Sequence, residues 1–479
     1  MKEVVERALN VAALRGAQFA DVRAVVRRTR SVAIKNGQVE AVAMHNTTGF
    51  GVRALIDGSW GFASAATLTT DKAATVAALA CSIARASARV QAAPVRLAAA
   101  PVVRDSYRTP VEQDPFAVSL DDTIALLLAA SQGMEQEPAV KVAEASAEAW
   151  EEHKLYGNSE GSLVEQTIVQ SGAGIEATAV AEDEVQKRSY PNSFGRQVGT
   201  AGWELVEGMD LVGNAPRIAA EAGQLLHAEP CPSGTKTIIL DPTQVALQVH
   251  ESCGHPTELD RVFGTEASFA GTSFLTPEKR GTYRYGSELV NITADATAPG
   301  GLGTFGYDDE GVAAQRTPLV VEGRFVGYLT SRDTAAQLGE GSNGTARADG
   351  WNRIPLIRMT NINLEPGDWA LADLIADTDD GLFLQTNKSW SIDDRRLNFQ
   401  FGTEIAWEIK GGKLGRPYKN ATYTGVTPEF WSGCDAVCRE WQLWGTPNCG
   451  KGQPMQVARV GHGTAAARFR NVRVGVMSD

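Results

Sequence analysis

The sequence predicts an α+β protein in two parts: a mixed α/β domain of hairpins and helices over residues 1–228, and a mainly antiparallel β domain over residues 235–479. Three observations carry this expectation. At 479 residues the chain exceeds the roughly 250–300 at which a single hydrophobic core usually stops growing. Helical and strand periodicities alternate through the first half, whereas short β-prone runs and Gly-rich turns dominate the second. Between the halves, Glu229-Pro230-Cys231-Pro232-Ser233-Gly234 has the composition of a linker.

The opening reads as a helix with Val5, Ala8, Leu9 and Ala12 on one face and Gly16 at its end. Two hairpins follow. Val32–Lys35 and Gln38–Val42 flank Asn36-Gly37, and Phe50–Ile56 and Ser59–Ala63 flank Asp57-Gly58, dipeptides suited to turns with positive φ. A second helix starts near Thr70-Asp71 and is expected to bury Ala73, Val76, Leu79, Ala80 and Ile83. Residues 94–115 lack periodicity and read as a surface connection to a helix over Leu120–Met134. Short β-prone runs occupy Val140–Val198, and a helix returns over Asp210–Leu226. Beyond the linker, Leu319–Leu329 and Asn398–Lys410 read as strands.

A composition of 43% hydrophobic and 21% charged residues is that of a folded globular chain and excludes wholesale disorder. The formal net charge of −12, with no dense Lys/Arg run to override it, argues against nucleic acid as a partner. Charges crowd the first residues where a secretory signal needs an apolar stretch, and no apolar run reaches membrane-spanning length, so a cytoplasmic protein without membrane contact is expected. Six scattered cysteines do not resemble a disulfide framework; free thiols or metal ligands are expected.

One segment carries chemistry. Lys236–Leu240 is β-prone and stops at Asp241-Pro242, an N-cap acceptor followed by a first-turn proline, with Gln244 at capping-box spacing. A helix should run from Pro242 into His250-Glu251-Ser252-Cys253-Gly254-His255 and stop at Pro256. Zinc hydrolases commonly space two histidines at i and i+4. Here they are at i and i+5, about 140° apart on a regular helix, so a π-type turn or an unwinding at Gly254 is needed to aim both at one ion. Glu251 beside such a ligand can take the proton of a metal-activated water, which marks a catalytic site rather than a structural one. The motif alone also admits a plainer reading, with His250 packed in a helix, Glu251 solvated and His255 in a turn.

The context of the motif resembles the TldD/PmbA family of metallopeptidases over most of the chain. The likeness rests on Gly49-Phe50-Gly51-Val52-Arg53-Ala54 with Gly58-Ser59-Trp60-Gly61-Phe62-Ala63, on His250 to His255, on Asp308-Asp309-Glu310-Gly311, on Arg358-Met359-Thr360-Asn361 and on Cys449-Gly450-Lys451-Gly452-Gln453. The H-E-x-x-x-H motif marks the TldD-like branch, which PmbA (TldE) partners lack. The resemblance implies that Cys449 is the third ligand beside His250 and His255, with Zn2+ keeping an open position for water and Glu251 as the base. It further implies a homodimer or a heterodimer with a PmbA/TldE-like chain, acting on unfolded or extended peptides or processing small peptide precursors. Two alternatives compete: a non-catalytic peptide-binding subunit, and a zinc amidohydrolase acting on a non-peptide amide.

Around this core, Glu258 and Asp260 are either partners that orient a ligand imidazole or solvated carboxylates. Cys253, inside the motif, is a possible fourth ligand, and Cys434-x-x-x-Cys438 offers a rival thiol pair. Asp308-Asp309-Glu310 is expected at a strand-end turn near the substrate groove. His45, His153, His227 and His462 receive no role.

Overall fold

The computed structural model describes residues 1–269 and 271–476. An eight-stranded sheet organises the first half, running Ser59–Ala65, Gln38–Ile56, Phe19–Lys35, Val140–Asn158, Leu163–Ala181 and Arg104–Arg108, with Glu184–Tyr190 and Gln197–Gly199 also paired to Leu163–Ala181. Both hairpins form where the dipeptides place them, with φ of 48° and 64° at Asn36-Gly37 and 51° and 72° at Asp57-Gly58.

The strands are longer than their apolar runs. Phe19–Lys35 continues through Arg27-Arg28-Thr29-Arg30 because it is paired on both sides, Arg27 and Arg28 face acids, and Arg30 donates to the Val118 and Pro115 carbonyls. Arg27 lies opposite Glu152 and Arg28 opposite Glu151, with ion pairs of 2.7 and 2.8 Å. Val140–Val198 likewise corrects the expected series of short runs, since it is led by two strands of 19 residues each, Val140–Asn158 and Leu163–Ala181.

Two helix pairs cover this sheet. Lys2–Leu14 and Thr70–Ala88 bury Val4, Val5, Ala8, Ala73, Val76 and Ala80 against Phe50 and Val52. Leu79 and Ile83, expected inside, are exposed, and the buried face is instead Ala73, Val76, Ala77, Ala80, Cys81 and Ala84. The reason is distance: a Cβ on Gly61 would sit 2.0 Å from the Ala80 carbonyl oxygen, so the helix lies too close to the sheet for larger chains. Leu120–Glu135 and Leu211–His227 cover a second stretch through Leu127, Ala130, Ala215, Ile218 and Ala222.

In the second half an eight-stranded, mostly antiparallel sheet is built on Asp380–Ile392, Gly234–Leu240, Ala467–Val476, Ala421–Val426, Asn398–Lys410 and Lys413–Lys419. Glu229-Pro230 joins this sheet as a short parallel strand beside Lys413–Lys419, so part of the expected linker is paired. The Leu319–Leu329 run breaks at a turn through Glu322 and Gly323, both at positive φ, and gives Arg316–Val321 and Arg324–Phe325. An aromatic cluster including a Phe430–Phe469 stack at 4.1 Å fills the core.

The halves are tied by charge. Asp308-Asp309-Glu310 does form a turn, with the Asp308 carboxylate accepting from the Glu310, Val312 and Ala346 amides, while the carboxylates of Asp309 and Glu310 reach the N-terminal sheet. Asp309 pairs with Lys154 at 2.5 Å and Glu310 with Arg53 at 3.0 Å, while the Tyr156 hydroxyl donates to the Glu310 carbonyl. Among the described residues no helix is long and apolar enough to cross a membrane.

Candidate metal centre

The strand Gly234–Leu240 delivers the chain to Asp241, whose carboxylate caps the next helix by accepting from the Gln244 amide at 2.8 Å, with Pro242 in the first turn. The helix Pro242–Val249 then widens into a π turn over His250–Gly254 and tightens into a 3-10 turn over His255–Thr257. The π turn bonds i to i+5 and so places His250 and His255 in one row, which resolves the spacing. Gly254 is not the point of unwinding, because its φ and ψ of −55° and −62° are helical. It is glycine for space: a Cβ there would lie 2.3 Å from the Met359 sulfur.

Cys449 arrives from the far end of the chain, on a hairpin of Gln442–Lys451 and Gln456–Thr464. Its Sγ lies 3.5 Å from His250 Nε2 and 3.6 Å from His255 Nε2, and the three side chains form the one His/Cys/Asp/Glu group among the described residues arranged to hold an ion. Zinc bonds of ~2.0–2.1 Å to nitrogen and ~2.3 Å to sulfur, set tetrahedrally, put N and S about 3.5 Å apart. The donor set fits that geometry. A single thiol proton could serve only one of the imidazoles, whereas one ion serves all three groups.

The remaining imidazole nitrogens are held by neighbours. His255 Nδ1 lies 2.9 Å from Glu258 Oε2, and His250 Nδ1 lies 2.8 Å from His462 Nε2. A nitrogen that binds metal carries no proton, so with an ion on both Nε2 atoms each ring would donate through Nδ1–H. Burial lowers the pKa of His250 and lowers that of His255 well below the usual value, keeping both neutral and able to ligate. Burial alone would raise the Cys449 thiol, but His255 and Arg358 outweigh it and the net shift is downward. Arg358, permanently charged, is the pull that persists when His255 is neutral. Its guanidinium also donates to the Cys449 carbonyl at 2.5 Å.

Behind Glu258 lies Lys451, fully buried, which donates to Asp260 at 2.7 Å and to the Ile357 carbonyl at 2.8 Å and stands 3.5 Å from Glu258. Of the two candidate orienting acids, then, Glu258 holds the His255 imidazole and Asp260 holds Lys451; neither is solvated. Glu251 opens onto a cavity of about 300 Å³ that also contains His250, His255 and Cys449. Arg396 Nη1 donates to Glu251 Oε2 at 2.7 Å, and no other hydrogen bond to this carboxylate occurs among the described residues. Cys253 is buried in the core with its thiol pushed up to about 12 by burial and stands outside the cluster. Cys434 and Cys438 are likewise buried free thiols away from it.

His462 and Arg396 had no signal in the sequence. His462 sits between two glycines in a strand, and only the fold shows that its face meets His250. His462→Ala should weaken the affinity of this cluster for an added metal ion by about 10–100-fold, the usual loss when the orienting partner of a ligand is removed. Competition with a chromophoric chelator measures it; unchanged affinity would mean that His250 needs no such partner.

Comparison with known proteins gives a consistent picture. Descriptions of the PmbA/TldA metallopeptidase match as domain 1 over residues 20–86, central domain over 113–228 and C-terminal domain over 233–476. A metalloprotease of Methanothermobacter thermautotrophicus is 31% identical over 458 residues, 96% of this chain and 95% of that protein. A zinc metalloprotease TldD homolog of Saccharolobus solfataricus is 26% identical over 245 residues, 51% of this chain and 52% of that protein. The crystal structure of TldE from Thermococcus kodakarensis superposes with a TM-score of 0.79 at 16% identity, covering 98% of this chain and 99% of that one, which establishes the shared fold.

Proposed function

Because the chain belongs to the PmbA/TldD family of metallopeptidases, we propose that it is a zinc-dependent peptidase that cleaves unfolded or extended peptides, with His250, His255 and Cys449 as ligands and Glu251 as the general base. The observation that carries this reading is the convergence of His250 Nε2, His255 Nε2 and Cys449 Sγ beside the Glu251 carboxylate in one cavity. Zinc bound there supplies a Lewis acid that polarises the substrate carbonyl and brings the pKa of a water to about 7.

The protein's own residues do the rest. Glu251 accepts the water proton and later passes it to the departing amine. Arg396 fixes one of its oxygens, which leaves the other to meet the water. His462 and Glu258 hold the two imidazoles in the ligating tautomer. The adjacent base favours catalysis over a purely structural site, which would take four protein ligands. A peptide bound by strand addition at a sheet edge would be recognised through its backbone, which selects extended chains over folded ones. The partner we propose is a second copy or a TldE-like chain, in keeping with the TldE fold relationship. The division at residues 228 and 235 is the domain organisation proposed with it.

The test combines metal analysis of purified protein, alone and with a TldE-like partner, with mass spectrometry of an incubated peptide mixture. One zinc per chain and chelator-sensitive cleavage are expected, and Cys449→Ser should lose most of its zinc under mild chelation. Full zinc retention by that variant would remove Cys449 from the ligand set, and cleavage indifferent to chelation would end the metallopeptidase mechanism.

A further inference from the structure

Two large aromatic side chains stand open at the mouth of the metal pocket. Phe194 is 44% and Trp390 48% exposed, and both line the cavity that contains His250, Glu251, His255 and Cys449. They come from different halves of the chain, Phe194 from the turn Ser193–Gly195 and Trp390 from the strand Asp380–Ile392. Their rings meet edge on, with centroids 6.2 Å apart and planes at 70°.

Phe194 is held there against its own backbone preference. Its φ and ψ of 59° and 29° are left-handed, a conformation a bulky residue keeps only when its surroundings enforce it. The enforcing contacts are visible. Gln197 Nε2 donates to the Leu443 carbonyl at 2.7 Å, the Gly445 amide donates back to Gln197 Oε1 at 2.9 Å, and Asn192 Nδ2 reaches the Gly445 carbonyl at 3.4 Å. These bonds fasten the turn to Gln442–Lys451, the strand that carries Cys449. A single exposed hydrophobic residue is ordinary on a protein surface. The Lys187 ammonium stands 5.3 Å from the Phe194 ring centroid, but that contact alone does not account for two exposed rings in mutual contact, one of them strained and both on the rim of the cavity.

We propose that Phe194 and Trp390 form the subsite for a large apolar side chain, aliphatic or aromatic, next to the peptide bond that is cut. The proposal rests on the peptidase reading of the same pocket. The pair is continuous with the groups that would act on the scissile bond, so its occupant belongs to the residue flanking that bond. Backbone recognition then selects an extended chain, and the aromatic pair selects where along it the cut falls.

The experiment uses the full-length zinc-loaded chain, with its partner if one is required, and fluorescein-labelled peptides that differ only in leucine, phenylalanine, serine or aspartate at one position. Binding is read by anisotropy and cleavage in parallel. The apolar peptides should bind at least about ten-fold more tightly, in line with what a hydrophobic pocket discriminates. Trp390→Ala and Phe194→Gly should each remove most of that preference while changing the polar peptides by less than about two-fold, with zinc content unchanged. Phe194→Gly deletes the ring at a position where glycine suits the backbone, so loss of the ring is separated from collapse of the turn. Equal affinity of the wild-type protein for all peptides, or equal losses on all of them in the variants, would overturn the subsite. Variants that altered sedimentation and left selectivity intact would overturn it too, in favour of a subunit contact. Selective binding without any cleavage would count against the peptidase mechanism alone and would support the subsite.

Discussion

Glu251→Gln should leave the fold and zinc content intact and lower peptide turnover by about 10²–10⁴-fold, the range a general base contributes. The side chain is almost the same size, so the π turn His250–Gly254 that sets both histidines need not adjust. What changes is chemistry. A neutral amide cannot accept the proton of an attacking water, and it loses most of its attraction for the Arg396 guanidinium 2.7 Å away. Substrate binding should persist, so the loss belongs in kcat and not in KM. Steady-state kinetics with metal analysis of the same preparation test this, and turnover near that of wild type would remove Glu251 from the mechanism and revive the reading of a non-catalytic peptide-binding subunit.

The parts of this site legible in the sequence are those set by local chemistry. Asp241-Pro242 announces the start of the helix, and the i,i+5 spacing of His250 and His255 calls for either a π turn or an unwinding at Gly254, of which the chain adopts the π turn. Asn36-Gly37 and Asp57-Gly58 set two hairpins by their φ preferences alone. Strand length was not legible, because nothing local to Arg27 and Arg28 shows that Glu152 and Glu151 stand opposite them. Nor were Leu79 and Ile83, whose exposure follows from how near Gly61 lets the helix approach the sheet. Cys449 was reached by resemblance, and nothing in a lone cysteine nearly 200 positions from the motif predicts that it closes the triangle. His462 and Arg396 depend wholly on which strand or turn folds back onto the helix.

Lys451→Met should be the most destabilising change near the metal centre, by about 3–5 kcal/mol, because it removes one partner from a buried charge group and leaves the other behind. Lys451 has no exposed surface, and its ammonium touches Asp260 at 2.7 Å and approaches Glu258 at 3.5 Å. Methionine fills much the same volume, so the loss would be electrostatic and not a cavity. Asp260 would keep its charge in a dry site or take up a proton, and either costs folding free energy. Glu258 would keep Arg261, 3.5 Å away, and Arg358, 4.0 Å away, but lose one of its three buried cations, so its grip on His255 Nδ1 should loosen and zinc should leave more readily. The double variant Lys451→Met with Asp260→Asn separates the causes, because removing both charges should restore a large part of the stability. Denaturant unfolding of the three proteins, each stripped of zinc, reads the folding effect free of metal linkage. If the single variant unfolded like the wild type, or if the double variant were as damaged as the single, the buried lysine would not be serving the carboxylates, and the Cys-Gly-Lys segment would owe its lysine to something other than this charge group.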